Sequence, residues 1–532
     1  MLPRERSTRQ TILTAAGLIL LVLALRMPLL GIPFERDEGE YAYIGWRLQH
    51  NELPYRDWFD QKPPAIFWVY RLALSLPLEP VRAVHFVGLV FAAAASCALF
   101  FIGLRFMSRF WAWMAAALLA VLAADPLIQG QAANTELFML LPLILSQVAL
   151  LRAASNSKRT ILFMILAGAL TGVAITFKQV AAVNWFFLVG FYPFLVAGKE
   201  RWRGALAFAI WSVTGLLAVL GFVVLYFWLR HGLQDLIYNV FTHNLEYVSA
   251  VKASVRFRLC LNTLALLGRT QTIVWIAAAA GLASLVLTNR SKWCLFLTSW
   301  IVTSMIGVSA SGYFFPHYFQ QLLPPLVLAA AAGAERLDGI RLWRKLPSWS
   351  RRVALGSALA LLPAMVSYPF LFTYTPAEAV RKIYPREFFA EMPELGRRIA
   401  SLTPAEGRVF IFGAEPELLF YARRASATRY IFLFPLYGPY RNALEEQKAT
   451  ADEVLKAQPS AAVYLPNNLF FAPGSEQHFT QWSISYLKKD FDADTLLTKD
   501  ASGTPHIVSA PSPPPAQRVL GAILVRKPGI TP

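Results

Sequence analysis

The chain has 532 residues, 56% of them hydrophobic, and a formal net charge of +18. A soluble protein of this length has no interior large enough for so much apolar side chain, so the composition excludes a water-soluble globular enzyme and implies a polytopic α-helical membrane protein. The basic excess lies in short segments between apolar runs, as the positive-inside rule requires, so no nucleic-acid partner is expected.

The first apolar run, Thr11 to Leu30, follows Arg4, Arg6 and Arg9. It resembles a signal peptide, but no small-residue cleavage site follows, so it reads as a retained anchor. Basic clusters then recur at Arg105/Arg109, Arg152/Lys158/Arg159, Lys199/Arg201/Arg203, Arg290/Lys292 and Arg341/Arg344/Lys345/Arg351/Arg352. Taken as successive returns to one side, they divide the chain into about eleven spans. These fall near 11–31, 81–104, 111–125, 134–152, 160–177, 181–198, 205–229, 271–288, 293–311, 317–334 and 353–373. The short pair flanking Lys178 also reads as a broken or shallow hairpin. The N-terminus comes out cytoplasmic and the C-terminal region external. The three cysteines, Cys97, Cys260 and Cys294, form no CxxC, which argues against a disulfide framework or a zinc knuckle.

Two long segments fall on the external side. The first, from about Ile32 to Pro80, opens with Arg36-Asp37-Glu38-Gly39-Glu40-Tyr41. Tyr41, Ile44 and Leu48 recur at helical spacing and predict a helix lying flat at the membrane interface. Pro63-Pro64 then starts a second helix, Ala65 to Leu76, since proline suits a first helical turn. The other segment, Arg230 to Arg269, is expected as a long loop and carries His231, His243, Asn244, Glu246, Lys252, Arg256 and Arg258. His243 and Glu246 have the spacing of a metal pair on a helix but lack a third ligand.

From Thr375 the composition changes. Segments 386–402, 408–412, 415–423, 429–434, 442–458, 461–465 and 519–526 alternate between helix-like and strand-like patterns. A membrane domain over 1–374 and a small external α/β domain over 375–532 are therefore expected. The Gly413-Ala414-Glu415-Pro416 turn either closes a βα unit or forms a ligand loop. Ser509 to Pro515 reads as a loop. No internal repeat and no GxGxxG occur.

Charged groups at membrane depth are costly, so those at its surface are functional candidates. Asp37 and Glu38 are either a solvated helix-end pair matched to Arg36 or a general base made more basic by partial desolvation. Lys62 is either a snorkelling lysine or a phosphate ligand assisted by the following helix N-terminus. Glu136, in Asn134-Thr135-Glu136, is a helix-terminus charge or a second site carboxylate. Lys178 divides evenly between snorkelling and a phosphate or substrate contact. His317, with Tyr318 and before Pro324-Pro325, is a hydrogen-bonded structural histidine or a phosphate contact.

Asp37-Glu38 with Tyr41-Ala42 and Lys62-Pro63-Pro64, all in the first external segment, resemble the lipid-linked-sugar glycosyltransferases of the GT-C type. The similarity is greatest to bacterial members of the protein mannosyltransferase and aminoarabinose transferase superfamily (glycosyltransferase family 39-like), and covers roughly residues 10 to 375. His317-Tyr318, Pro324-Pro325 and the Thr135-Glu136 helix start share it, and Arg408–Arg423 resembles the external domain of such proteins. The resemblance implies an inverting enzyme that takes a sugar from a polyprenyl-phosphate donor. The acceptor, a lipid, polysaccharide or protein, would lie on the periplasmic face. It implies Asp37 as catalytic carboxylate, with Glu38 and Glu136 beside it. Lys62, Lys178 and His317 fall to the donor phosphate, and Glu40, Tyr41 and Tyr318 to the substrate. No metal or other cofactor is implied as a requirement. The aminoarabinose branch has an arginine where this chain has Glu40, so that branch's substrate and phosphate contacts do not carry over. A transporter of lipid-linked saccharides is the alternative, but the absence of repeats and the one-sided charges favour an enzyme.

Overall fold

A computed structural model describes residues 8–155, 158–196, 198, 200–249, 251–340, 345–438, 440–466, 475–510 and 517–529. Of the features expected from sequence, Arg4, Arg6, Lys199, Arg341, Arg344 and most of the Ser509–Pro515 loop lie outside the described residues.

Every one of the eleven expected spans contains helix. Among the described residues, eight helices are long and apolar enough to cross a membrane: Gln10–Leu29, Pro80–Gly103, Thr135–Ala153, Thr160–Phe177, Arg201–Leu229, Ala253–Leu287, Ser291–Ser309 and Ser348–Phe372. The remaining expected spans correspond to the shorter helices Arg109–Leu122, Ala182–Leu195 and Leu323–Asp338. Arg201–Leu229 shows why these helices need lipid around them: Leu206, Leu217, Phe222 and Trp228 are each more than half exposed. Such an unbroken apolar face is stable only against hydrocarbon. The helices touch one another through small residues, as membrane helices do when no water-driven force pulls them together. At Gly168 a side chain would run into the backbone of Ser212, so Thr160–Phe177 and Arg201–Leu229 meet backbone to backbone.

The Arg230–Arg269 segment departs from the expected loop. It folds as a short helix, Leu233–Ile237, a π-helical turn, Tyr238–Thr242, and a further turn of α-helix, His243–Ser249. The next helix begins at Ala253, well before Arg269. Residues 253–269 contain neither proline nor an early glycine, so nothing interrupts helix there.

The C-terminal domain carries one sheet built from β1 Arg408–Phe412, β2 Ala425–Ser426, β3 Ala461–Tyr464, β4 Phe491–Lys499, β5 Pro505–Ser509 and β6 Arg518–Arg526, in the order β2-β1-β3-β6-β4-β5. β1 is parallel to β2 and β3, as βα connections demand, and the β6, β4 and β5 half is antiparallel. The strand-like pattern at 429–434 is not a strand. That stretch leaves the sheet to lie on the Ile32–Pro80 segment, where the Arg429 carbonyl accepts from the Phe59 amide at 3.0 Å and Tyr430 stacks on Phe59 with ring centroids 5.1 Å apart.

The Ile32–Pro80 segment does form its two helices, Arg36–Arg47 and Ala65–Ala73. The Arg36–Arg47 helix does not lie open at an interface, however. Residues from Glu38 to Gly45 are all buried, because the C-terminal domain closes over the helix. The Glu417–Ala422 helix packs across it, and a side chain at Gly39 would overlap the Cα and Cβ of Glu417. The Tyr43 hydroxyl oxygen accepts from the Ser426 N–H at 2.9 Å. The Phe34 N–H likewise meets the Tyr421 hydroxyl at 2.9 Å. Replacing Gly39 with valine is therefore expected to force the two parts of the chain apart. A loss of about 1–3 kcal/mol, typical of overpacking, should appear as a lower unfolding midpoint of the detergent-solubilised protein and faster proteolysis between residues 372 and 392.

Candidate active site

The helix that carries Asp37 starts with a capping box. The Glu35 carboxylate accepts from the Glu38 N–H and the Glu38 carboxylate from the Glu35 N–H, each at 3.3 Å. This fixes the first turn and directs Asp37 and Glu38 to opposite sides. Glu38 points into the protein. Its carboxylate binds His85 Nε2 at 2.8 Å and the Ala133 N–H at 2.7 Å, tying the helix to Pro80–Gly103 and to the approach to Thr135–Ala153. Asp37 points into a cavity of about 560 Å³ at the junction of the helical bundle and the C-terminal domain; Glu38 is not in its wall.

Lys62 stands opposite Asp37. Its Nζ lies 3.8 Å from Asp37 Oδ1, 3.7 Å from Glu40 Oε2 and 3.9 Å from Asp60 Oδ1, and 5.4 Å from the centre of the Tyr41 ring. Burial alone would lower the pKa of this ammonium. Asp37, Tyr41, Glu40 and Asp60 together outweigh that and hold it well above the usual lysine range, so Lys62 is a permanent positive charge.

The backbone around Lys62 is fixed from four directions. Its N–H donates to Asp60 at 2.8 Å and its carbonyl accepts from the Tyr55 hydroxyl at 2.6 Å. The preceding Gln61 carbonyl accepts from the Asn244 amide at 2.8 Å and the Gln179 amide at 3.1 Å. Both amides also donate to the Val240 carbonyl, which the π-helical turn at Tyr238–Thr242 presents to them. π-helical turns leave such carbonyls open and recur at functional sites.

The bundle supplies the other side of the cavity. Glu136 pairs with Lys178 and accepts from the Thr135 hydroxyl at 2.9 Å. Lys178 Nζ sits 3.4 Å over the Tyr318 ring. His317 Nδ1 lies 2.6 Å from the Gln129 amide oxygen. The fold thus brings Asp37, Glu40, Tyr41, Lys62, Glu136, Lys178, His317 and Tyr318 to one cavity, and leaves Glu38 behind its wall. His243 also reaches the cavity, but between the rings of Phe59 and Tyr440, at 4.9 and 4.6 Å. Burial lowers its pKa to about 4, which keeps it neutral. Among the described residues no three histidine, cysteine or carboxylate side chains are arranged to hold a metal ion, and the His243–Glu246 pair gains no third ligand.

The sequence reading missed Asp60 and the contribution of the C-terminal domain. Asp60 stands two residues before Lys62 and is fully buried, a placement that the charge pattern alone does not reveal. Tyr384, Glu387, Phe389, Phe434 and Tyr440 complete the cavity from the small domain. Arg36 joins the two parts: its Nε donates to the Ala414 carbonyl at 2.6 Å and its Nη2 meets Glu387 at 2.9 Å and Glu415 at 3.9 Å. The Gly413–Pro416 turn thus both closes a βα unit and grips the site helix.

Glu417, beneath Gly39, is fully buried with neither carboxylate oxygen hydrogen-bonded. Burial and the nearby Glu415 push its pKa well above the usual 4.5, against the pull of Arg36, so it is neutral in the fold. Because the folded state then binds a proton that the unfolded state releases, this group's contribution is intact below pH 4.5 and is lost as pH rises through the folded value. The unfolding midpoint is expected to fall on raising the pH from about 5 to about 9, and Glu417→Gln should make that fall shallower.

No family model matches the chain, and no curated protein matches it in sequence. Solved structures do match. ArnT from Cupriavidus metallidurans, in crystals with bound undecaprenyl phosphate, superposes with a TM-score of 0.61 at 14% identity over 98% of each chain. The archaeal oligosaccharyltransferase AglB from Archaeoglobus fulgidus, in complex with an inhibitory peptide and a dolichol-phosphate, gives 0.56 at 13% identity over 96% of this chain and 75% of that one. The mycobacterial arabinofuranosyltransferase AftD gives 0.51 at 14% identity over 98% of this chain and 40% of its own. All three are glycosyltransferases of the GT-C fold. With its membrane-length helices, its C-terminal sheet domain and this likeness along its whole length, the chain is a multi-pass membrane protein with the GT-C fold.

Proposed function

We propose that the protein is an inverting glycosyltransferase that moves a sugar from a polyprenyl-phosphate donor to an acceptor on the external, periplasmic face of the cell inner membrane. The observation that carries this reading is a carboxylate, Asp37, held 3.8 Å from a permanently charged lysine, Lys62, on the wall of a largely apolar cavity between bundle and small domain. A base beside a phosphate-binding cation is what displacement of a phosphate leaving group requires. Asp37 takes the proton of the acceptor as its nucleophilic atom attacks the anomeric carbon. The bond from that carbon to the phosphate oxygen breaks, and Lys62 balances the charge that gathers on the phosphate. Lys178, with Glu136 against it and Tyr318 beneath it, places a second cation across the same cavity, and His317 a hydrogen-bonding ring beside it. In this reading Lys62 supplies the positive charge and no metal cofactor is required. ArnT with undecaprenyl phosphate and AglB with dolichol-phosphate support a lipid-phosphate donor on this fold.

The test is to incubate the purified protein with a polyprenyl-phosphate sugar and an extract of envelope lipids, glycans and proteins as acceptors. Release of free polyprenyl phosphate together with a glycosylated acceptor is the expected result. Movement of the intact donor across a vesicle membrane, without release, would identify a transporter instead.

A further inference from the structure

The surroundings of Lys62 are out of electrical balance. Asp37, Glu40 and Asp60 lie within 4 Å of its ammonium, and Glu40 and Asp60 are almost wholly buried, at 2% and 0% exposure. Three carboxylates about one ammonium leave an excess of two negative charges before any substrate arrives. The cations across the cavity do not correct this: Lys178 is paired with Glu136, and Arg36 with Glu387 and Glu415. A phosphodiester donor adds one negative charge, and its departure as a phosphate monoester adds another. Carboxylates in such a place share protons, because like charges at close range in a dry site cannot all remain ionised.

The position of the proton follows from the cavity. Asp60 lies behind its wall, whereas Glu40 forms part of it, and Glu40 Oε1 is buried with no hydrogen-bond partner. The charged and titratable groups that face Glu40 are Asp37 and Tyr41 on its own helix and Asp60 and Lys62 on the segment that follows. Burial first, and Asp60 second, push the Glu40 carboxyl well above the usual carboxylate range, while Lys62 pulls it back. The Asp60 carboxylate accepts the Lys62 N–H at 2.8 Å, which favours its ionised form, whereas Glu40 Oε1 has no donor, so Glu40 is the carboxyl that holds the proton.

We propose that Glu40, kept protonated by Asp60, is a second catalytic group that acts as general acid toward the departing lipid phosphate. The proposal rests on the glycosyltransferase reading above. As the bond between the anomeric carbon and the phosphate oxygen breaks, its electron pair passes to that oxygen and Glu40 delivers its proton there. The polyprenyl phosphate leaves as a monoanion beside Lys62 and not as a dianion among carboxylates. Asp37 ends the step holding the proton of the acceptor, so one proton is gained and one lost at the site, and exchange with solvent restores the starting state. An acid at this position does by proton donation what a cation would do by charge.

The experiment is the pH dependence of polyprenyl phosphate release by the full-length protein, in wild type and in Glu40→Gln and Asp60→Asn. Wild type should lose activity on the alkaline side as Glu40 ionises. Glu40→Gln, which fills the same volume, should lower kcat by about 10²-fold and abolish that alkaline decline, with the donor KM little changed. Asp60→Asn removes the charge that keeps Glu40 protonated, and should move the alkaline decline to lower pH. A Glu40→Gln enzyme with the kcat and pH profile of wild type would overturn the proposal, as would an Asp60→Asn profile identical to wild type. Loss of wild-type activity in EDTA with recovery on adding Mn²⁺ would also overturn it, since the carboxylates would then balance a metal ion. A wild type that releases no polyprenyl phosphate at any pH fails the glycosyltransferase reading itself, and is distinguished from all of these by the wild-type measurement alone.

Discussion

Replacing Asp37 with asparagine is expected to abolish sugar transfer while leaving the fold and donor binding in place. The carboxamide has the shape of the carboxylate, and Asp37 makes few contacts that hold the structure. Its side chain is 30% exposed to the cavity, and its one ion pair, with Lys62, is loose at 3.8 Å. What the substitution removes is the ability to accept a proton. A positioned general base contributes about 10²- to 10⁴-fold to rate, so single-turnover release of polyprenyl phosphate should fall by that factor. Donor binding, measured by quenching of intrinsic tryptophan fluorescence, should stay near the wild-type value. Near-normal turnover by the variant would remove Asp37 from the mechanism.

Lys62→Ala should have the second largest effect, and of a different kind. A charge-assisted hydrogen bond to phosphate is worth about 1.5–3 kcal/mol, so the donor concentration for half-maximal rate should rise about 10- to 100-fold. Removing the ammonium also leaves the Asp60 carboxylate buried without its cation, and breaking a buried pair in this way costs about 3–5 kcal/mol. Lys62→Arg separates the two effects. It retains the positive charge, and so most of the stability, but the planar guanidinium does not fit the same point among three carboxylates. A donor dependence unchanged in both variants would show that Lys62 does not meet the phosphate.

Asp37 and Lys62 stood out because charge beside long apolar runs has few structural uses, and the fold places both on one cavity wall. Glu38 stood out for the same reason, yet it lies behind that wall, satisfied by His85 and Ala133. Adjacent residues at a helix start point in different directions, and only the neighbours decide which of them faces the cavity. Asp60 was passed over because a carboxylate in a polar stretch reads as solvated until the structure shows it buried.

The membrane-length helices, their order along the chain and the α/β character of the C-terminal region are legible in the sequence alone. These follow from local patterns: apolar run length, charge placement and turn residues act over a few neighbours and survive any packing. The tertiary structure decided the rest. The Arg36–Arg47 helix bears the periodicity of a surface helix, but the C-terminal domain, more than 370 residues away along the chain, closes over it through Gly39, Arg36 and Tyr43. That contact buries Glu40, gives the cavity its second half and sets the charge balance around Lys62. Burial and charge balance depend on what lies across a space, and no stretch of sequence records what will face it.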